Sequence, residues 1–181
     1  MEYIKFMKKI FLLLLVAFAF SSCEKDDICD AGTSTTPRLV IEFYDSLIAT
    51  PTFKNVTNLK AVANGMTEGI VFNNTLASTN PLRYLTNTNK IFLPLDPSAT
   101  TTSYTLTNNF GAFNANADVV TFNYTKKEVY VSRACGYKYL FNLTNTNSNI
   151  LTADIDNWIK NILIVKPNLE TENEVHIQIF F

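Results

Sequence analysis

An all-β fold is what this sequence predicts: an antiparallel β-sandwich of immunoglobulin-like size, with about seven strands and room for one short helix. Three observations lead there. Apolar and polar residues alternate with period two in one segment after another, those segments are short, and the stretches between them are rich in Asn, Thr and Ser. A half-buried strand needs that alternation because successive side chains point to opposite faces of the sheet.

Taken in order, "RLVIEFY" (38–44) sets Leu39, Ile41 and Phe43 on one face. "NLKAVA" (58–63) and "KIFLPL" (90–95) alternate less cleanly, and Pro94, which cannot donate to a ladder, marks the second as an edge. "SYTLT" (103–107) aligns Tyr104 with Leu106, and "VVTFNYT" (119–125) aligns Val120, Phe122 and Tyr124. Lys126 and Lys127 then read as the turn of a hairpin into "EVYVS" (128–132). "YKYLFNL" (137–143) collects Tyr137, Tyr139, Phe141 and Leu143. "TADIDNWIKNILIV" (152–165) predicts a short helix over its first half, capped by Thr152 with acids in the first turn, while its second half reads equally well as a strand. "EVHIQIF" (174–180) puts Val175, Ile177 and Ile179 inward and leaves His176 and Gln178 exposed. "LTNTN" occurs at 85–89 and 143–147 and reads as turn chemistry rather than a repeat. With no interior linker, residues 38–181 are expected to form one domain.

The first 22 residues have the parts of an export signal: Lys5, Lys8 and Lys9, then an uncharged run from Ile10 to Phe20, then small residues. A bilayer span takes roughly 20 apolar residues, so a transmembrane anchor fits poorly. "FSSC" (20–23) resembles the lipobox of bacterial lipoproteins, with Phe20 where Leu is commonest. The resemblance implies removal of residues 1–22, leaving Cys23 first in the mature chain and carrying diacylglycerol and an N-acyl chain such as palmitate. At ~0.8 kcal/mol per buried methylene, two or more chains anchor far better than one. The next residues, "EKDD", are similar to the surface-export signal of some Gram-negative outer-membrane lipoproteins, which would assign that role to Lys25, Asp26 and Asp27. Residues 23–37 then form a lipidated N-terminus and linker. The expected location is the outer membrane, facing the exterior, with the periplasmic face as the alternative.

Removing that leader takes Lys5, Lys8, Lys9 and Glu2 from totals of 15 basic and 16 acidic residues, leaving 12 and 15, a net charge of about −3. No basic patch suggests nucleic acid as a partner. Cys29 and Cys135 remain in an exported chain where disulfides persist, and two cysteines allow one pairing. The bond shortens the tether from about 15 residues before Arg38 to the five between Cys23 and Cys29, a reach of about 20 Å.

Sites of chemistry are sparse. His176 is the single histidine, no GxSxG elbow accompanies it, and neither a metal-ligand set nor a cofactor pattern is predicted. Glycoside hydrolysis by two carboxylates remains an option through Glu42, Glu128, Asp154 and Asp156. Trp158, Tyr137 and Tyr139 are candidates for stacking on sugar rings, with burial in the core as the ordinary alternative. "DSL" (45–47) resembles the O-glycosylation acceptor that some bacteria use on exported proteins, pointing to Ser46. The segments "CDAGTSTTPRLVIEFYD" and "VSRACGYKYLF" are together similar to a family of small bacterial lipoproteins of unknown function, a resemblance that supports the lipid anchor and the paired cysteines and contributes no catalytic residue. The expectation is therefore a membrane-attached module binding an envelope protein or glycan, or giving structural support. The alternative is an envelope hydrolase acting on glycans.

Overall fold

A computed structural model describes Tyr3, Met7, Lys8 and residues 28–33, 35–47, 50–146 and 150–181. The chain divides into two compact units, one of Met1–Thr33 with Tyr130–Tyr137, the other of Ser34–Val129 with Lys138–Phe181. Among the described residues ten strands follow in order: β1 (Leu39–Tyr44), β2 (Val56–Ala63), β3 (Thr86–Thr88), β4 (Lys90–Leu93), β5 (Thr101–Asn108), β6 (Asn116–Ser132), β7 (Gly136–Leu143), β8 (Asn161–Ile164), β9 (Asn168–Leu169) and β10 (Ile177–Phe180). They form a four-stranded sheet, β4-β1-β10-β8, and a six-stranded sheet, β3-β2-β5-β6-β7-β9. The all-β sandwich-like fold is as expected, with about three strands more.

One pairing departs from an antiparallel plan. β1 and β10 run parallel, with Ile41 opposite Ile177 and Phe43 opposite Ile179. β1 therefore lies inside its sheet, and all six of its residues are buried. Glu42, the one charged residue among them, meets Lys90 on β4 at 2.7 Å and accepts a hydrogen bond from the Tyr44 hydroxyl at 2.8 Å. β4 is an edge strand, as expected, and Pro94 follows directly after its last residue.

The inward rows of both sheets meet in one apolar cluster. β1 contributes Leu39, Ile41 and Phe43; β5 contributes Tyr104 and Leu106; β6 contributes Val120, Phe122 and Tyr124; and β10 contributes Ile177 and Ile179. These are the faces that alternation predicts. On the other face of the β5–β6 pair, hydroxyls and amides bond across strands, Ser103 to Thr121 at 2.8 Å and Thr101 to Asn123 at 2.8 Å. The abundant Thr and Asn thus serve strand pairing as well as turns. The first "LTNTN" copy contains β3 itself. In the second, the Asn145 carboxamide accepts from the Asn123 N–H and donates to the Thr121 C=O, so one side chain takes the place of a strand neighbour for β6. Asn58 and Asn109 adopt positive φ, 42° and 53°, a region that Asn tolerates better than most residues.

Three local expectations need correction. Lys126 and Lys127 do not turn: β6 runs unbroken through them to Ser132, and the reversal comes at Arg133–Cys135, where Gly136 takes φ +69°. Two lysines in sequence have no preference for the positive φ that a tight hairpin needs, whereas glycine adopts it without strain. No helix forms at 152–160. Thr152 donates its N–H to the Val119 C=O, and the N–H groups of Trp158 and Ile159 go to the buried Asp118 carboxylate at 3.3 and 2.8 Å, so the donors a helix would use are engaged elsewhere. The second half of that segment becomes β8, the strand alternative.

His176 is the third correction, since it is wholly buried rather than exposed. Its backbone N–H donates to the Val40 C=O, while its Nδ1 accepts the Val40 N–H at 3.0 Å. The imidazole is therefore the Nε2–H tautomer, and among the described residues Nε2 has no hydrogen-bond partner. The ring turns back onto the β1 backbone because β10 begins only at Ile177, leaving the Val40 amide to be satisfied by a side chain.

Two predictions follow from these buried polar groups. Asp118→Ala leaves two buried N–H donors without an acceptor and should destabilise by about 3 kcal/mol, read from urea unfolding. Burial lowers the His176 pKa below its usual value. A depressed histidine pKa gives stability that is fully present above the unfolded value, about 6.5, and is lost as pH falls through the folded value. Asp118 acts in the opposite sense, because burial raises its pKa, so its contribution is lost as pH rises through the folded value. Melting curves from pH 7 down to about pH 5 should therefore show a destabilisation in the parent that flattens in His176→Gln; equal slopes would refute the role given to His176.

Candidate functional site

Within the larger unit, a cleft of about 420 Å³ opens between the end of β2 (Ala63, Asn64, Met66), the connection after β4 (Pro94–Asp96) and the start of β5 (Thr101–Tyr104). Its wall is held by a closed ring of hydrogen bonds. The Asp96 N–H donates to Thr102 Oγ1 at 3.0 Å, Thr102 Oγ1 and the Tyr124 hydroxyl lie 2.6 Å apart, and the Tyr124 hydroxyl donates to the Asp96 C=O at 2.8 Å. Since the phenol has one proton and gives it to Asp96, the Thr102 hydroxyl must donate to the phenol oxygen. Beside this ring the Tyr104 hydroxyl donates to the Pro94 C=O. Burial raises the pKa of both phenols, so both stay neutral and act as structural donors. Asp96 is the one carboxylate lining the cleft, and it accepts the Ser98 N–H at 2.7 Å.

The smaller unit is organised by a disulfide. Cys29 and Cys135 are bonded, with Cα atoms 4.9 Å apart. Cys135 stands in the turn between β6 and β7, and its N–H bonds the Ser132 hydroxyl at 3.0 Å. Two tyrosines near this turn, Tyr130 and Tyr137, meet edge to face with ring centroids 5.4 Å apart, yet are 58% and 62% exposed. Ile28, next to Cys29, is 83% exposed.

The residues expected to form one aromatic ligand surface part company here. Trp158 is 8% exposed, packs against Phe43 and Phe181, and donates its indole N–H to the Leu106 C=O at 3.0 Å, so it belongs to the core. Tyr139 is half-buried; its hydroxyl donates to Glu128 at 2.9 Å and its N–H to Thr36 Oγ1 at 3.0 Å. Tyr137 alone is an open ring, and its partner Tyr130 was missed because "EVYVS" reads as a strand with no special role for its aromatic. Ser46 is half-buried just after β1, with its N–H on the Phe181 C=O. Cys23, Lys25, Asp26 and Asp27 lie outside the described residues.

The acids considered for hydrolysis have structural partners. Glu42 is held by Lys90 and Tyr44, Glu128 receives Tyr139, Asp154 accepts the Asp156 N–H at 3.0 Å, and the Asp156 carboxylate meets the Asn116 amide at 3.3 Å. Among the described residues no group of three or more His, Cys, Asp or Glu side chains is arranged to hold a metal ion. Asp118, which no motif singles out, is legible afterwards: extending the inward row Val120, Phe122, Tyr124 back by one step lands on it.

Loss of the disulfide frees a loop spanning 106 residues, for which the chain-entropy account gives up to about 4.7 kcal/mol. Cys29→Ser and Cys135→Ser should each lower stability by roughly 2 to 5 kcal/mol, and reduction of the parent should match them. Two titratable thiols from Cys29 and Cys135 in the unreduced, denatured chain would refute the bond.

No curated protein and no solved structure matches the chain. A family model does, over residues 58–181, a stretch that takes in β2 from its third residue, β3 through β10, the cleft, the buried Asp118 carboxylate and Cys135. By that match the chain belongs to DUF6452, a family of unknown function.

Proposed function

We propose that this protein is an outer-membrane lipoprotein, anchored through Cys23 and acting by binding or structural support at the cell envelope, on its outer face. The anchoring rests on "FSSC" at the end of an 11-residue apolar run, and the outward orientation on Lys25, Asp26 and Asp27 directly after it. The binding reading is carried by one observation: the cleft beside β5 has a preformed wall and a single carboxylate, which is tied to its own turn. Hydrolysis of a glycoside needs two acids facing each other across a groove. The cleft offers hydroxyl, amide and thioether surface instead, through Thr101, Asn64 and Met66. Such a surface fits a neutral polar ligand, a glycan or a peptide segment, more readily than a reaction requiring charge.

In cells, Cys23→Ala should abolish incorporation of labelled palmitate and release the protein from membranes. Lipid labelling that survives the substitution would overturn the anchor. Replacing Lys25, Asp26 and Asp27 by Ala should keep the lipid but protect the protein from external protease; undiminished digestion would show that these charges do not direct export.

A further inference from the structure

The disulfide fixes more than the fold of the smaller unit. It joins Cys29 to the turn of the β6–β7 hairpin, and Cys29 is six residues after Cys23. Six Cα steps of at most ~3.6 Å span about 20 Å, whatever conformation those residues take. On the reading of Cys23 as a lipidated residue, that length is shorter than the hydrocarbon core of a bilayer, ~30 Å, and about three times the thickness of one polar headgroup layer. While the anchor is inserted, the hairpin turn stays within about 20 Å of Cys23.

What stands at that turn matches such a surface. Tyr130 and Tyr137 form an edge-to-face pair and leave more than half of each residue exposed. Ile28 adjoins Cys29 and is almost fully exposed, and Arg133 in the turn is exposed too. Tyrosine is favoured at membrane interfaces because its ring is apolar and its hydroxyl remains hydrogen-bonded to water or headgroups. An isoleucine next to the tether gains by leaving water for the acyl boundary. Gly136, with φ +69°, permits the tight reversal that brings these side chains to one end of the hairpin.

We infer that the tip of the β6–β7 hairpin, through Tyr130, Tyr137 and Ile28, docks onto the lipid headgroup layer in which Cys23 is anchored. The disulfide keeps this contact within reach of the anchor: it would convert a lipid tether into a two-point attachment, one covalent and one interfacial. This inference depends on lipidation of Cys23, and it gives the exposed tyrosine pair a partner distinct from any ligand of the cleft.

The test uses the lipoprotein purified from envelopes with Tyr137→Trp, reconstituted into vesicles of phosphatidylethanolamine and phosphatidylglycerol carrying a nitroxide label near the headgroup. The core indole of Trp158 in the parent is the reference. The new indole should shift its emission to shorter wavelength on reconstitution and be quenched by the labelled lipid at least twofold more than Trp158. Tyr130→Trp gives a second probe should Tyr137→Trp impair folding, and it should behave alike. Breaking the staple with Cys135→Ser in the Tyr137→Trp background should reduce the quenching. Lipid labelling of Cys23 with an indole that remains open to iodide and insensitive to the labelled lipid overturns the docking alone. Absence of lipid on Cys23 overturns the anchor and the docking together.

Discussion

Two backbone N–H groups, those of Trp158 and Ile159, point at the Asp118 carboxylate in a place that solvent does not reach. Asp118 belongs to β6 in the six-stranded sheet, and the two residues it holds lead into β8 in the four-stranded one. With their amides fixed, the Trp158 ring is aimed at Phe43 and Phe181, and its N–H reaches Leu106 on β5. One carboxylate and one indole thus tie both sheets to a shared core. Burial raises the Asp118 pKa, with the N–H of Ile159, the Asn157 side chain and the N–H of Trp158 opposing the rise. The same donors would otherwise have been orphaned in the interior, so the carboxylate and the bent segment satisfy each other.

The second constraint is the parallel pair β1–β10. A strand with neighbours on both sides and both faces covered is read as a continuous run of apolar residues rather than an alternation. "LVIEFY" has that character, broken only by Glu42, whose charge is met by Lys90 and Tyr44. At its start, where β10 has not yet begun, the His176 imidazole completes the hydrogen bonding of Val40. A neutral ring is required, because a protonated Nδ1 would set one donor against another.

These two constraints also explain what the sequence conceals. The inward faces of β5, β6 and β10, and of β7 at Phe141 and Leu143, are legible as period two, and the edge position of β4 as Pro94, because each depends on residues next to one another in the chain; at Tyr137 the same alternation fails, since that ring is exposed. The parallel pairing joins strands about 135 residues apart and has no local signature. Thr152 with early acids looks like a helix start, and only Asp118, 40 residues away, removes the donors that helix needed. His176 fails for the same reason: alternation assigns it to the outer face, and nothing nearby shows that a backbone amide from β1 waits there. The cysteine pair was legible because exclusion left one partner for each. The tyrosine pair was half legible, since Tyr137 stands out in "CGYKY" whereas Tyr130 acquires meaning only from the ring facing it.

The proposed binding role draws on the form of the cleft. Its wall is set by bonds that begin and end at Asp96, through Thr102 and Tyr124, so its shape exists before any ligand arrives. Association at a preformed surface loses less conformational entropy than association that must order a loop. Catalysis by acids and bases would need a group poised to exchange a proton, and the phenols nearest the cleft are held in the opposite condition, their pKa raised by burial and their protons committed to carbonyls. The hydroxyls are therefore fixed points of geometry, and a ligand taken up as proposed would be discriminated by its shape and hydrogen-bonding pattern.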